Sequence, residues 1–255
     1  MSKYRVLNAG LVGVQHIDQC TIPDTTSRLP NMGGVVQAVD PYWGGGEFIY
    51  CLFSAAVRAK ALVQFAPVFD APTNKWQMVA AEMANTANTG RPCGVAVTPA
   101  GAGTYGWVQL TGVMPVSSNA AVAASTVVGI AATGQLGANS AGKQINSMLT
   151  TAQATSSATT VVKPSISSAY QAGMTGSNLI AVTNTDGWFL GGYVSGAGIA
   201  AGATVTAIDT AEQIVTLSAV NTAAVTGNIT FTYNNGTVFF NVVMADRPQV
   251  QGAIT

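Results

Sequence analysis

Histidine is almost missing from this sequence. The 255 residues hold one, His16, and a single imidazole excludes every site that needs two, the HExxH zinc arrangement among them. Charge is scarce as well. Ten Lys and Arg stand against ten Asp and Glu, 8% of the chain with no net charge, about a third of the roughly 25% usual in a soluble domain. From Met83 to Thr185 there is no carboxylate, and Lys143 and Lys163 are the only cations between Arg91 and Asp186. General acid–base catalysis needs titratable groups placed together, so the chain is expected not to be an enzyme, with no catalytic residue and no cofactor. No GxSxG elbow accompanies His16, which leaves a Ser triad without its nucleophile turn. No basic stripe offers a footprint to phosphates, which argues against nucleic acid as a partner.

Cysteine and long apolar runs are equally sparse. Cys20, Cys51 and Cys93 are odd in number, far apart and in no CxxC pair, so neither a disulfide framework nor a metal site is expected and buried free thiols are the default. Met1–Gln15 is broken by Asn8, Gly10 and Gly13 and lacks the apolar core of a signal peptide. Pro92–Gly142 is low in charge but rich in Gly, Ser and Thr, without the run of about 18 apolar residues a membrane helix needs. No membrane partner is expected. With so little charge to keep copies apart in solution, the composition fits a component of an assembly.

What the chain does have is strand signal. Gly94–Val116 reads as two strands, Gly94–Thr98 and Tyr105–Thr111, around a turn with Pro99, Gly101 and Gly103, a β-hairpin by its period-two pattern. Tyr105, Trp107 and Gln109 alternate with Gly106, Val108 and Leu110, and Trp107 is expected to be buried beneath the hairpin. Upstream, Cys20–Gly34 is rich in Pro, Asp, Thr and Gly and reads as an extended arm, which must be ordered on a partner to offset its chain entropy. Val35–Pro41 follows as a strand, then Gly44, Gly45 and Gly46, expected to form a bulge or tight turn before the strand Glu47–Phe53. A phosphate loop is excluded because no GK[ST] and no helix follow. Val57–Phe69 and Trp76–Ala80 are a strand pair around the turn Asp70–Lys75. Strands recurring about every ten residues indicate a sandwich or barrel.

The second half predicts a strand at Ser125–Ala131 and one helical window, Gln144–Thr155, with Ile145, Met148, Leu149 and Ala152 at helical spacing. From Asn178 to Tyr233 five strands separated by turns describe a smaller β-sandwich: Leu179–Thr183, Trp188–Val194, Thr204–Asp209, Gln213–Ser218 and Asn228–Tyr233. Asn234-Asn235-Gly236 is expected to turn Tyr233 back into a strand Thr237–Met244 as a hairpin. The fold class is therefore mainly β, a β-barrel or β-sandwich domain plus a smaller β-sandwich module with extended terminal arms. It divides into an N-terminal arm (1–34), a β domain (35–165), the module (166–244) and a C-terminal tail (245–255). Ile22, Leu29 and Met32 in the first arm, with Val250 and Ile254 in the tail, are candidate anchors on a neighbour. Trp188 and Tyr193 are candidate outward-facing aromatics for saccharide or protein contact, with burial in the core as the competing assignment.

Two stretches carry a resemblance. TGRPCGVAVTPAGAGTYGWVQLTGVMPVSSNAAVAASTVVG, with the phrase Gly134–Ala138 after it, is similar to tailed-phage head decoration, or capsid cement, proteins. VSGAGIAAGATVTAIDTAEQIVTLSAVNTAAVTGNITFTY, with its pattern GxGIxxGxTVTxI, then VTLS, then TGxxTFT, resembles a β-module of phage virion proteins. The resemblance implies a non-catalytic virion protein on the outer capsid surface, made in the host cytoplasm, that stabilises the lattice of the major capsid protein. It also implies self-association as a homotrimer, with a dimer as the alternative. A tail-associated or receptor-binding virion protein is the competing function.

Overall fold

The computed structural model describes residues 5–6, 33–151, 157–161, 175–233 and 239–253. Among them every regular element is a strand except for one 3-10 turn, Ala71–Thr73, and the chain separates into two compact units. One comprises Tyr4–Ala154 together with Phe240–Thr255; the other, Thr155–Phe239, is inserted into it.

The larger unit begins with β1 (Arg5–Val6), β2 (Val35–Asp40) and β3 (Gly44–Phe53), followed by β4 (Leu62–Asp70), β5 (Lys75–Glu82), β6 (Cys93–Ala96) and β7 (Tyr105–Gln109). The pairings run round in a ring: β3 to β5, β5 to β4, β4 to β6, β6 to β7, and β7 back to β3. β2 and then β1 continue the sheet outward from the first half of β3. The expected Gly94–Thr111 hairpin is present as β6 and β7, with Val95 opposite Gln109. Alternation decides what each face of β3 covers. Ile49, Cys51 and Phe53 join Val63, Ala80 and Val108 in one cluster, while Phe48 and Tyr50 join Val36, Ala38 and Trp107 in another. Trp107 is 2% exposed, its ring 4.9 Å from that of Tyr50.

The three glycines form no bulge. They follow the expected tight turn instead: Gly44, at a φ of 84°, Gly45 and Gly46 pair with Asp40, Val39 and Ala38, and Asp40 closes the turn by accepting from the Tyr42 and Trp43 backbone N–H groups at 2.7 and 2.9 Å. Glycine is required for another reason, the close approach of a second backbone. A Cβ on Gly46 would lie 2.6 Å from the Thr111 carbonyl, and one on Gly112 only 2.3 Å from that of Gly45.

The same unit continues with β8 (Thr111–Ser118), β9 (Val127–Ala132), β10 (Gln135–Ala138) and β11 (Gln144–Thr150). The inserted unit contains β12 (Ser157–Val161), β13 (Leu179–Ala181), β14 (Tyr193–Gly196), β15 (Val205–Asp209), β16 (Ile214–Leu217) and β17 (Asn228–Thr232); the chain then returns as β18 (Phe239–Val250). β10, β8, β18, β11 and β9 close into a five-stranded barrel. Its core holds Met114, Val116, Ile130, Leu136, Met148 and Val243, and it also takes Leu62, Cys93 and Val95 from the first ring. The start of β4 and all of β6 are thus buried on both faces, Leu62 and Val95 facing the barrel, Val63 and Ala96 facing the ring.

Three sequence expectations change here. The helical window Gln144–Thr155 begins as strand β11. Its register slips between Asn146 and Met148, where Ser147 takes a φ of 59°; the bulge puts Ile145 and Met148, three residues apart, on the same buried side, which imitates helical spacing. The first part of the tail, Ala245–Val250, is not a free arm, because Ala245 and Val250 pair with Met148 and Ile145 inside the barrel. Asn234-Asn235-Gly236 lies outside the described residues, but the strands on either side are not hairpin partners: β17 lies between β12 and β14, and β18 between β8 and β11.

The inserted unit has two three-stranded antiparallel sheets, β12-β17-β14 and β13-β16-β15, and an aromatic cluster. Trp188 stacks on Phe231 at 4.7 Å, and Phe189 meets Phe231 edge-on at 5.3 Å. Gly192 lies against the Phe231 ring, where a Cβ would come within 2.3 Å.

Candidate interaction surface

β4 and β5 form a hairpin that outgrows its neighbours. β6 pairs with β4 only from Leu62 to Gln64, whereas β5 stays paired with β4 from Val63 to Asp70. Beyond Phe65 the outer edge of β4 therefore has no strand partner among the described residues. The Phe65 N–H points to that edge, donating to the Pro92 carbonyl, so by strand alternation Pro67 presents its missing donor there. A proline in that position blunts an edge against strand addition. Any partner of this hairpin must then meet side chains rather than extend the sheet.

Register places those side chains. Phe65 lies opposite Ala80, Pro67 opposite Met78 and Phe69 opposite Trp76, so all six share one face. At the base, Phe65 and Met78 pack against the ring core; at the tip, Phe69 is 46% and Trp76 68% exposed. The two rings meet edge-on, with centroids 5.5 Å apart at 62°. On the opposite face Gln77 donates to the Asp70 carboxylate at 2.6 Å, and Val68 is exposed. The 3-10 turn, with Pro72 near its start and Asn74 left-handed at its end, fixes the tip. The result is a braced projection capped by two aromatic rings in water, the composition that concentrates binding energy in interfaces.

A second feature is polar. A shallow depression of about 440 Å³ is lined by Gln37, Gly46, Glu47, Thr111 and Arg247 among others. Arg247 Nε donates to Glu47 at 2.9 Å, and the Arg247 backbone N–H donates to the Leu110 carbonyl at 3.0 Å. The side-chain hydrogen bond from Arg247 and its charge hold the Glu47 carboxyl below its ordinary range, with a smaller contribution from Gln37 and against the opposing effect of burial. With both charges engaged, the pair braces the start of β3 to β18.

The residues singled out from sequence fall differently. Ile22, Leu29, Met32, Ile254 and His16 lie outside the described residues. Trp188 does not face outward: it is 1% exposed, sandwiched in the aromatic cluster. Tyr193 is half-buried, and burial pushes its phenol up. Cys51 and Cys93 are buried free thiols, the burial pushing Cys93 up to about 12. Among the described residues no three His, Cys, Asp or Glu side chains group as a metal site, and no helix is long and apolar enough to cross a membrane. Phe69 and Trp76 carried a usable signal, aromatics flanking the DAPTNK turn, but only the register shows that they stand past the end of β6. The chain matches no known family, no curated protein and no solved structure.

Proposed function

We propose that the chain is a structural virion protein that binds the outer surface of a phage capsid and cements the lattice of its major capsid protein. The observation that carries this reading is the uncovered aromatic pair Phe69 and Trp76 on a braced hairpin of a protein without net charge. Apolar surface of this kind marks an interaction site, and a near-neutral chain does little to prevent contact between molecules. The resemblance of Thr89–Gly129 to head decoration proteins names the assembly. A closed barrel beside a closed ring also suits a load-bearing part, since closure removes most of the edges through which sheets mispair.

The test is location followed by reconstitution. Mass spectrometry of separated heads and tails should find the chain with heads, and the purified chain added back to stripped heads should raise the temperature at which they release DNA. Recovery with tails alone would sink the cement reading and favour the tail-associated one.

A further inference from the structure

The first residues of β4 lie between two cores, Leu62 against the barrel and Val63 against the ring. A strand with a wall on each side is apolar at successive positions rather than at alternate ones. β4 keeps that character almost to its end, with Phe65, Ala66, Pro67, Val68 and Phe69 following Gln64 without a polar residue. The walls stop short of it. Phe65 still packs on the ring core, with Met78 beside it. Further out Pro67 is exposed, and Val68 and Phe69, which point to opposite faces, are 47% and 46% exposed. Trp76 stands opposite Phe69 at 68%. The outer half of the hairpin is therefore composed for burial on both faces and has neither wall. Beyond this apolar band comes a polar cap: Asp70 lies opposite Lys75, and Asn74 is exposed in the turn.

We propose that the partner supplies both missing walls. The band enters a narrow apolar cleft in the protein shell, which grips Val68 on one face of the hairpin and Phe69 with Trp76 on the other. This rests on the capsid reading and deepens it by giving the shape and chemistry of the receiving surface. Three other modes of contact fit the tip less well. Strand addition along β4 is blocked by Pro67, which offers no N–H to a new strand. A flat surface would cover the aromatic face and leave Val68 in water. A lipid bilayer would cover both faces, but Asp70 and Lys75 would have to lead the way into hydrocarbon, where charged groups are expensive. A cleft in protein, open or polar at its far end, holds the band and leaves the cap wet.

Area points the same way. The two partly exposed aromatics offer on the order of 250 Å², against about 800 Å² per partner in a standard stable interface. Contact on the aromatic face alone is too small to hold one molecule, and gripping the second face adds Val68. The tip is then an anchor within a larger contact, and many copies on one shell act together.

The experiment is cosedimentation of the full-length chain with stripped heads over a range of concentrations, with neutral phosphatidylcholine vesicles in parallel. The native chain should bind heads and leave vesicles unbound. Trp76→Ser and Val68→Ser, one on each face, should each raise the apparent dissociation constant about tenfold or more, as for other buried interface anchors. Phe69→Ser and Val68→Lys serve as second variants, and an unchanged circular dichroism melt shows that each is folded. Val68 variants that bind heads as tightly as the native chain overturn the cleft, whatever Trp76→Ser does, and leave attachment to the capsid standing. A native chain that does not bind heads removes the capsid reading and this inference with it. Vesicle binding that both substitutions abolish would assign the tip to lipid. Self-association that both abolish would assign it to a second copy, and either result overturns the proposal.

Discussion

The backbone N–H of Thr151 donates to the carbonyl of Val242 at 2.8 Å, across ninety-one residues of chain. The end of β11 and the start of β18 are thereby neighbours in one barrel ladder, with Thr150 opposite Val243. The unit Thr155–Phe239 is an insertion between two strands that already touch. Replacing it by a short Gly-Ser turn should leave the larger unit folded, since a shorter closing loop costs less entropy than a longer one. Far-ultraviolet circular dichroism with a single cooperative melt is the readout, and a chain that is unfolded without the insert would show that the barrel depends on it.

Two tryptophans should behave as opposites. Trp107 is 2% exposed beneath the ring strands, and Trp107→Ala should cost about 3–5 kcal/mol, the range for a core aromatic. Trp76→Ala, at the open tip, should stay within about 0.5 kcal/mol. Urea titrations of both variants check the pair, and a large loss in Trp76→Ala would mean that the tip is part of the fold rather than a surface for a partner.

Asn241 is a fully buried polar side chain with its hydrogen bonds made. Its carbonyl oxygen accepts from the Val122 N–H at 3.0 Å, and its amide donates to the Ala120 carbonyl at 2.9 Å and to Ser118 Oγ. It pins the β8–β9 connection to β18. Asn241→Ala should destabilise by roughly 1–3 kcal/mol for each group left unpaired, read as a lower urea midpoint at unchanged slope. Asn241→Ala at native stability would remove this role.

Cys51 and Cys93 should be inert in the native state. Burial raises both thiols, Cys93 to about 12, and the thiolate is the reactive form. Alkylation at mildly alkaline pH, followed by peptide mass analysis, should label these two sites only after denaturant is added.

The alternating strands of the larger unit were legible because one face of each is buried. β2 shows it plainly, with Val36, Ala38 and Asp40 inward. The register defect at Ser147 was not legible, because a bulge changes the period locally without any composition signal, and Ile145 and Met148 then read as helix. The fate of Ala245–Val250 was hidden for a different reason: its partner, β11, lies about a hundred residues upstream, and pairing at that separation leaves no local trace. Trp188 illustrates the limit for the site. Its place at the start of an expected strand left it a candidate outward-facing aromatic, whereas the ring that covers it, Phe231, comes from β17, far along the chain. The tip aromatics were visible as residues and invisible as a surface, since exposure at Phe69 and Trp76 depends on where β6 ends.

The Glu47–Arg247 brace should give stability a small acid-side dependence. The Glu47 carboxyl is held below its ordinary value in the folded chain, chiefly by the hydrogen bond from Arg247. Its ordinary value in an unfolded chain is about 4.3. A carboxyl with a depressed folded pKa contributes stability that is fully present above the unfolded value and is lost as pH falls through the folded one. Glu47→Gln should therefore melt slightly below the native chain at neutral pH. The gap should shrink on acidification and close once Glu47 itself is protonated. The pair is solvent-accessible, Arg247 at 66% of its side chain, so the effect is modest and should weaken with added salt. Melting temperatures of both chains across the acid range, at low and high ionic strength, decide it. A gap that is constant with pH, or that widens toward acid, would show that the carboxylate is not what Arg247 holds.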